Sequence, residues 1–546
     1  MARVVPSPLA TFGVGFLALL LSAGLRGALT SGIGAQDDEP AHYVTAMMVH
    51  DWLLSGDWSD PVGYARAYYA ALPKVAIGQW PPVLYVGLGA WMVVFGVGTA
   101  SAVSFTCAVA AGLLALVHRA ARGLGVGPVP PLALLVSLPL VQRLSGMVMT
   151  ELPLALLCTG AVLAGARLLE KGDLRSGIAF GAWSTAAILT KGNALALAAV
   201  PALGVLLARR LDLLRTRAFW TPALLVVLLC GPWYALTTGY QASSWDGGAS
   251  PHWGYTRAAT PIYLSGLVQD LGGAGVAVLA LAGLLLPARE GSPARAFRAA
   301  SGAFVLGLLA LLVVLPSSPL TRHLCLLAPS WALLAALGAR SLGQRLGGFG
   351  SSSSGPWIAL AGLAFVLGPF EVVPKDAVGA TDLLAPLCAE APEARVLVAS
   401  DAIGEGLVIG GLAALEERRP ERAVLRASRF LITDDWNGRS YRNHYPTLDA
   451  LQARLDEAAV ALLVLDGSMP EARWFEHHRL LRELVEAEGA PWSRVARGDA
   501  VREGERFAGA LEVWERDGWE QLPRRALRYE PDRAPQDGPA IQVDAE

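Results

Sequence analysis

The stretch MVMTELPLALLCTGAVLAGARL, residues 147–168, carries one carboxylate near its start, Glu151, and one cation near its end, Arg167. The residues between them are apolar or small, and the stretch is close to the ~20 residues an α-helix needs to cross the hydrocarbon core of a bilayer. It reads as a membrane-spanning helix that opens on an acid. Segments of similar character occur at 10–30, 129–145, 218–238, 262–287, 300–316, 321–340 and 356–373. Residues 176–208 suit two short helices meeting near Lys191-Gly192-Asn193, whereas 81–118, interrupted at Gly96-Val97-Gly98, suits a re-entrant or kinked arrangement. These segments predict an α-helical multi-spanning membrane bundle of about 11–12 spans. The first run follows Arg3 as a signal peptide would, but its length and the spans behind it predict a retained helix.

Composition agrees. Of 546 residues, 53% are hydrophobic and 16% charged, where a soluble protein has roughly 25% charged. The net charge of −2 conceals a division at Lys375. Residues 376–546 hold 32 acids and 21 bases, whereas 1–375 hold 14 acids and 23 bases. The reading is therefore a membrane module over 1–375 with a large loop at 31–80, then an acidic soluble α/β domain over 376–519. The tail, 520–546, with Pro523, Pro531, Pro535 and Pro539 among charges, reads as disordered. A single soluble domain is excluded. So is a nucleic-acid binder, because no basic face exists to neutralise phosphates along a duplex. The five cysteines stand apart, with no disulfide framework and no paired spacing for a metal.

Basic residues concentrate on the cytoplasmic side of membrane proteins. Arg119 and Arg122, Arg167 with Lys171 and Arg175, Arg209 to Arg217, Arg289 to Arg298, and Arg340 with Arg345 mark alternate loops as internal. Loops 31–80, 239–261 and 316–321 then face outward, as does the acidic domain, which places the protein in a plasma (inner) membrane with an extracytoplasmic C-terminal domain. In that domain, 394–400 and 459–466 read as buried strands, alternating with helical stretches near 403–418, 447–458 and 472–488. Gly404-x-Gly406 matches a dinucleotide turn only superficially, and an extracytoplasmic location argues against that use.

Six of the module's acids lie in one outward loop: Asp37, Asp38, Glu39, Asp51, Asp57 and Asp60. Three consecutive carboxylates at a membrane surface raise one another's proton affinity, which suits one of them to act as a base. Glu151, at the outward end of its span, faces the same side and needs a partner. The outward cations are Arg66, Lys74, Arg143, Lys191, Arg257 and Arg322, with Lys375 at the last boundary. Lys191 interrupts an apolar stretch and calls for an anion at membrane depth. A lipid phosphate fits that role, and so does a lysine snorkelling to the interface.

Five fragments in order resemble the integral-membrane GT-C glycosyltransferases, which use polyprenyl-phosphate sugars and include protein O-mannosyltransferases and lipid A aminoarabinose transferases. They are Asp38-Glu39 with Tyr43; Ser55-Gly56-Asp57-Trp58; Pro81-Pro82-Val83-Leu84-Tyr85; Thr150-Glu151-Leu152-Pro153-Leu154; and Thr190-Lys191-Gly192. The resemblance covers about 1–340. It implies transfer of a sugar, with inversion, from a polyprenyl-phosphate donor to an acceptor glycan, lipid or protein at the outer face of the membrane. Asp38, Glu39 and Glu151 are the implied catalytic acids. Lys191, Arg143, Arg257, Arg322, Tyr43 and Lys74 are the implied substrate contacts. No organic cofactor is implied, and no residue pattern specifies a metal. Two departures stand out: Trp80 occupies the place before the Pro-Pro pair where relatives often have Lys or Arg, and Glu151 replaces their usual Asp. The competing classes are a transporter or flippase and a non-catalytic scaffold. A transporter usually shows an internal repeat and midplane charges, whereas the acids here collect at span ends.

Overall fold

The structure is a computed structural model and describes residues 7–34, 36–244, 250–286, 292–345, 374–375, 377–415, 422–434, 440–502, 507–530 and 538–544. Fifteen helices form the N-terminal module among the described residues. The first is α1 (Pro8–Leu25), started by Pro8 and by Ser7, whose side chain accepts from Ala10 N. Next come α2 (Glu39–Ser55), α3 (Pro61–Ala71), α4 (Val83–Phe95), α5 (Thr99–Gly123), α6 (Val129–Ser137), α7 (Pro139–Ser145) and α8 (Glu151–Lys171). These are followed by α9 (Leu174–Ile188), α10 (Ala199–Leu207), α11 (Arg217–Ser244), α12 (Trp253–Gln269), α13 (Gly273–Leu285), α14 (Pro293–Val314) and α15 (Ala328–Arg345).

Five of the described helices are long and apolar enough to cross a membrane, α1, α5, α8, α11 and α14, or six spans if the bent pair α12–α13 counts as one. Several apolar runs that read as single spans are broken instead. Leu138 precedes Pro139 and is extended (φ −62°, ψ 124°), which separates α6 from α7 within 129–145. Within 262–287, α12 and α13 meet at 95°, and Gly272 takes φ +104° at the corner. Residues 321–340 divide into a 3₁₀ turn, Thr321–Leu326, and α15. The span read at 356–373 lies outside the described residues. Residues 81–118 form α4 and α5, separated by Gly96 and Gly98 at positive φ. Between α9 and α10 the chain leaves the helix at Lys191, which is extended (φ −162°, ψ 142°), and re-enters through a 3₁₀ turn, Gly192–Ala198.

Burial separates central from peripheral helices. In α8, 78% of the spanning window is buried, against 11% in α1 and in α11, so α8 is the axis of the bundle and the other two present apolar surface outward. The module is an integral membrane protein. Small residues set the closest approach, as membrane bundles often do. A Cβ at Gly283 would collide with Leu334 O, and one at Gly338 with Leu279 O, so α13 and α15 touch backbone to backbone.

The C-terminal domain is built on a five-stranded sheet in the order β2-β1-β5-β7-β6. β1 (Arg395–Ala399) pairs in parallel with β2 (Val424–Arg426) and with β5 (Val460–Asp466), and β1 and β5 are buried throughout and apolar apart from Arg395 and Asp466 at their ends, as two-sided strands are. Small strands β3 (Ile432–Thr433) and β4 (Arg442–Asn443) pair with each other. β6 (Trp492–Arg502) and β7 (Phe507–Arg516) add an antiparallel hairpin. Within 520–546, where disorder was expected, the described residues include a two-stranded ladder. β8 (Leu527–Tyr529) pairs with β9 (Ile541–Val543), Ile541 is fully buried, and Tyr529 stacks on Tyr69 at 3.9 Å. Alternating Ile541 and Val543 give the ladder an apolar face, which the surrounding prolines and charges obscure in the sequence.

The domain sits directly on the acidic loop. The Ala402–Leu415 helix offers Gly406 and Gly410 to it: a Cβ at Gly406 would lie 2.8 Å from Pro40 Cγ, and one at Gly410 2.9 Å from Ile33 O. Gly32 N and Ser31 Oγ donate to Ala377 O at 2.5 and 3.2 Å. Arg426 Nη1 donates to Pro73 O at 3.3 Å. Loop and domain therefore lie on the same side of the bundle.

Candidate active site

Asp38 is the residue before α2, and Glu151 is the first residue of α8, where the helix dipole favours a carboxylate. The chain brings them together through Arg322. Its Nη2 donates to Asp38 Oδ2, its Nη1 to Gln36 Oε1 at 3.4 Å, and its Nε lies 3.4 Å from Glu151 Oε1, an ion-pair contact without hydrogen-bond geometry. Lys191, at the break between α9 and the 3₁₀ turn, donates Nζ to the same Glu151 Oε1 at 2.9 Å. Two acids and two bases from four separated segments thus share one buried cluster. Glu151 is fully buried, Asp38 8% exposed and Arg322 7% exposed. A broken helix suits the place, because irregular backbone at membrane depth is tolerated where protein or a cavity surrounds it.

Glu39 belongs to a different set of contacts. Its Oε1 accepts from Lys375 Nζ at 2.6 Å and from Val148 N at 3.0 Å, and its Oε2 accepts from Gly34 N at 3.1 Å. It ties the acidic loop to the entry of α8 and to the start of the C-terminal domain, so its place is that of a buried clamp. Lys74 is likewise engaged elsewhere, donating Nζ to Ala402 O at 3.0 Å. Burial, then the nearby Arg426, push its amine down to about 7. Tyr43 is fully buried in the apolar cluster that α2 forms with α4, beside Gly98 and Asp51. Arg143 sits on α7, and Arg257 is exposed on α12. Among the described residues, neither pairs with a carboxylate of the site.

The run of three carboxylates does not behave as one group. Burial, reinforced by Asp38, raises the proton affinity of Asp37. Burial pushes the Asp38 carboxyl up, but Arg322, His42 and Lys191 together outweigh it and hold the carboxyl below its ordinary value. Two histidines join the cluster that the sequence reading passed over. His42 follows Asp38 by one helical turn, with Nδ1 2.9 Å from Tyr85 Oη and its ring centroid 4.5 Å from that of Trp80. Burial holds it neutral, its pKa down at about 4. His323 adjoins Arg322, is 8% exposed, and its Nδ1 has no hydrogen-bond partner among the described residues. The i,i+4 spacing from Asp38 to His42 was a usable signal. His323 had none beyond its neighbour. Among the described residues, no group of three or more His, Cys, Asp or Glu side chains is placed to hold a metal ion.

No family model and no curated protein matches this chain. Solved structures do. ArnT from Cupriavidus metallidurans bound to undecaprenyl phosphate aligns with a TM-score of 0.57 at 15% identity, covering 93% of this chain and 98% of that one. The same enzyme in its apo state gives 0.55 at 16% identity, with the same coverage. The archaeal oligosaccharyltransferase AglB from Archaeoglobus fulgidus aligns more weakly, at 0.44 and 12% identity over 82% of this chain and 69% of that one. The ArnT alignment covers 93% of this chain, more than the membrane module alone spans, so the chain shares the fold of ArnT.

Proposed function

We propose that this protein is a membrane glycosyltransferase that moves a sugar from a polyprenyl-phosphate donor to a hydroxyl or amine acceptor at the outer face of the membrane. The observation that carries the reading is the cluster in which Lys191 and Arg322 converge on Glu151 beside Asp38. The two cations can neutralise a lipid phosphate, Arg322 through its fork and Lys191 as a point charge. The ArnT structure that shares this fold holds undecaprenyl phosphate, which supports a ligand of that class here.

The acceptor attacks the anomeric carbon opposite the phosphate. A new bond forms to that carbon as its bond to the phosphate oxygen breaks, the phosphate leaves with the bonding pair, and the acceptor's proton passes to Asp38. The sugar's configuration inverts. Arg322 holds Asp38 in a weakly basic state, and a phosphate arriving at Arg322 competes for the guanidinium. The base then strengthens once the donor is seated. Charge building on the leaving phosphate meets Lys191 and Arg322, the kind of electrostatic help that often dominates catalysis. Glu151 positions both cations, and Glu39 fixes the loop that carries Asp38.

The test is release of radiolabelled sugar from polyprenyl-phosphate sugars by purified protein. Asp38→Asn keeps shape but cannot take a proton, and transfer should fall about 10²–10⁴-fold with expression intact. A variant that keeps more than about a third of the activity removes Asp38 as the base and points to Asp37. For sidedness, cysteines at the exposed positions Ser59 and Leu415 should react with an impermeant reagent in intact cells, and one at exposed Lys171 should not. The reverse pattern contradicts the outer-face assignment.

A further inference from the structure

His42 is a polar side chain of the site to which the proposed reaction gives no task. Its backbone N–H donates to Asp38 O at 3.0 Å, so the two residues stand one turn apart on one face of α2. Its ring is 1% exposed. Tyr85 is also buried, and among the described residues its hydroxyl bonds only to His42 Nδ1. A buried O–H without an acceptor is costly, so Tyr85 donates to Nδ1 and the neutral ring carries its proton on Nε2. No protein group among those described accepts that N–H. After burial, the charges that act on the ring are, in order, Asp38, Lys191, Glu151 and Arg322. One turn from Asp38 and packed against Tyr85 and Trp80, His42 stands beside the base, and in an in-line displacement the sugar lies between the base and the phosphate.

We propose that His42 is a sugar contact: its Nε2–H, fixed in that tautomer by Tyr85, donates a hydrogen bond to a ring hydroxyl of the donor's sugar, with Trp80 closing the pocket behind it. The inference rests on the lipid-phosphate reading above. A neutral donor suits the position, because Asp38 and Glu151 already balance Lys191 and Arg322, and the phosphate brings the next charge. Trp80 packs on the imidazole with ring centroids 4.5 Å apart, which holds the ring in place.

The experiment compares binding of bare undecaprenyl phosphate with binding of undecaprenyl phosphate carrying glucose, mannose, galactose or arabinose, in full-length protein. Wild type should bind at least one glycosylated lipid more tightly than the bare one. His42→Phe should lose about tenfold on that lipid and nothing on the bare one. His42→Gln, which keeps an N–H at similar reach, should recover most of the loss, and Tyr85→Phe should show a smaller loss confined to the glycosylated lipid. Equal weakening of both lipids by His42→Phe, or no weakening of either, overturns the assignment. So does a wild type that gains nothing from any of the four sugars. Unaltered bare-lipid binding also serves as the check that each variant folds. A wild type without affinity for undecaprenyl phosphate contradicts the lipid-phosphate reading itself, whereas a wild type that binds it, with His42→Phe undiminished, contradicts the histidine alone.

Discussion

Two buried ionic clusters, one in the bundle around Glu151 and one in the C-terminal domain around Arg502, are built differently. In the domain, Arg502 is 2% exposed and pairs with Asp401, with Asp466 Oδ2 3.7 Å away. Those carboxylates are also held by neutral donors close to them in the chain or across the sheet. Asp466 accepts from Ser400 Oγ at 2.5 Å and from Ser468 N and Oγ at 2.8 and 2.6 Å, while Asp401 accepts from Ile403 N and Gly404 N at 3.2 and 3.1 Å. This cluster occupies the crevice at the carboxyl ends of β1 and β5, where open α/β sheets commonly bind ligands. A Cβ on Gly404 would collide there with Ser400 Oγ, so the crevice is filled. In the bundle, Asp38 and Glu151 lean chiefly on two cations. Neutral donors fixed by the backbone make a cluster part of the fold, whereas mobile cations can be shared with an incoming anion.

The comparison breaks most severely if one cation is removed from each cluster. Lys191→Met and Arg502→Met should each cost about 3–5 kcal/mol, since each removes a buried cation from a buried carboxylate. Thermal melting checks this. Only Lys191→Met should also abolish undecaprenyl phosphate binding. Equal effects of both variants on the lipid would erase the distinction. A smaller effect tests the seam between the two regions. Gly406→Leu drives a side chain against Pro40 and Lys74, and overpacking of that kind costs about 1–3 kcal/mol. Sugar transfer should fall about tenfold through displacement of Asp38, with bare-lipid affinity close to wild type, because Lys191 and Arg322 lie on other segments.

The smallest expected effect is a pH slope. Lys74 has its pKa lowered to about 7 in the folded protein, against 10.5 ordinarily. Between those values the unfolded chain binds the extra proton, so stability rises with pH across that window. Lys74→Met should be more stable than wild type near pH 6, and the difference should shrink as pH rises through 9. A pH-independent difference would show that burial does not depress this amine.

Much of the fold is legible in apolar runs. β1 and β5 lie within one residue of the stretches that read as strands, and Lys191 stands at the break where two short helices were expected to meet. The β6–β7 hairpin escaped because β6 is an edge strand whose Arg494, Arg497 and Asp499 face solvent, which masks its period. Within the site, Glu151 and Lys191 were readable as charges that apolar surroundings cannot leave unpaired, and Asp38 as one of three consecutive carboxylates. Glu39 was assigned to the same chemistry because it adjoins Asp38. Neighbours at a helix start point in different directions, and its carboxylate turns instead toward Val148 and Lys375. Nothing local distinguishes Arg322 from Arg143 or Arg257. Which loop meets which acid is set by helix packing, where a single chain's sequence carries little signal.

The most direct test uses the double variant Glu151→Gln/Lys191→Met. Removing both partners together leaves no stranded charge, so its melting temperature without ligand should return close to that of wild type. If Lys191 holds the lipid phosphate, the upward shift in melting that undecaprenyl phosphate gives the wild type should be absent from this stable variant. An undiminished shift would contradict the account, because the buried cluster would then be a structural ion pair of the same kind as the one in the C-terminal domain.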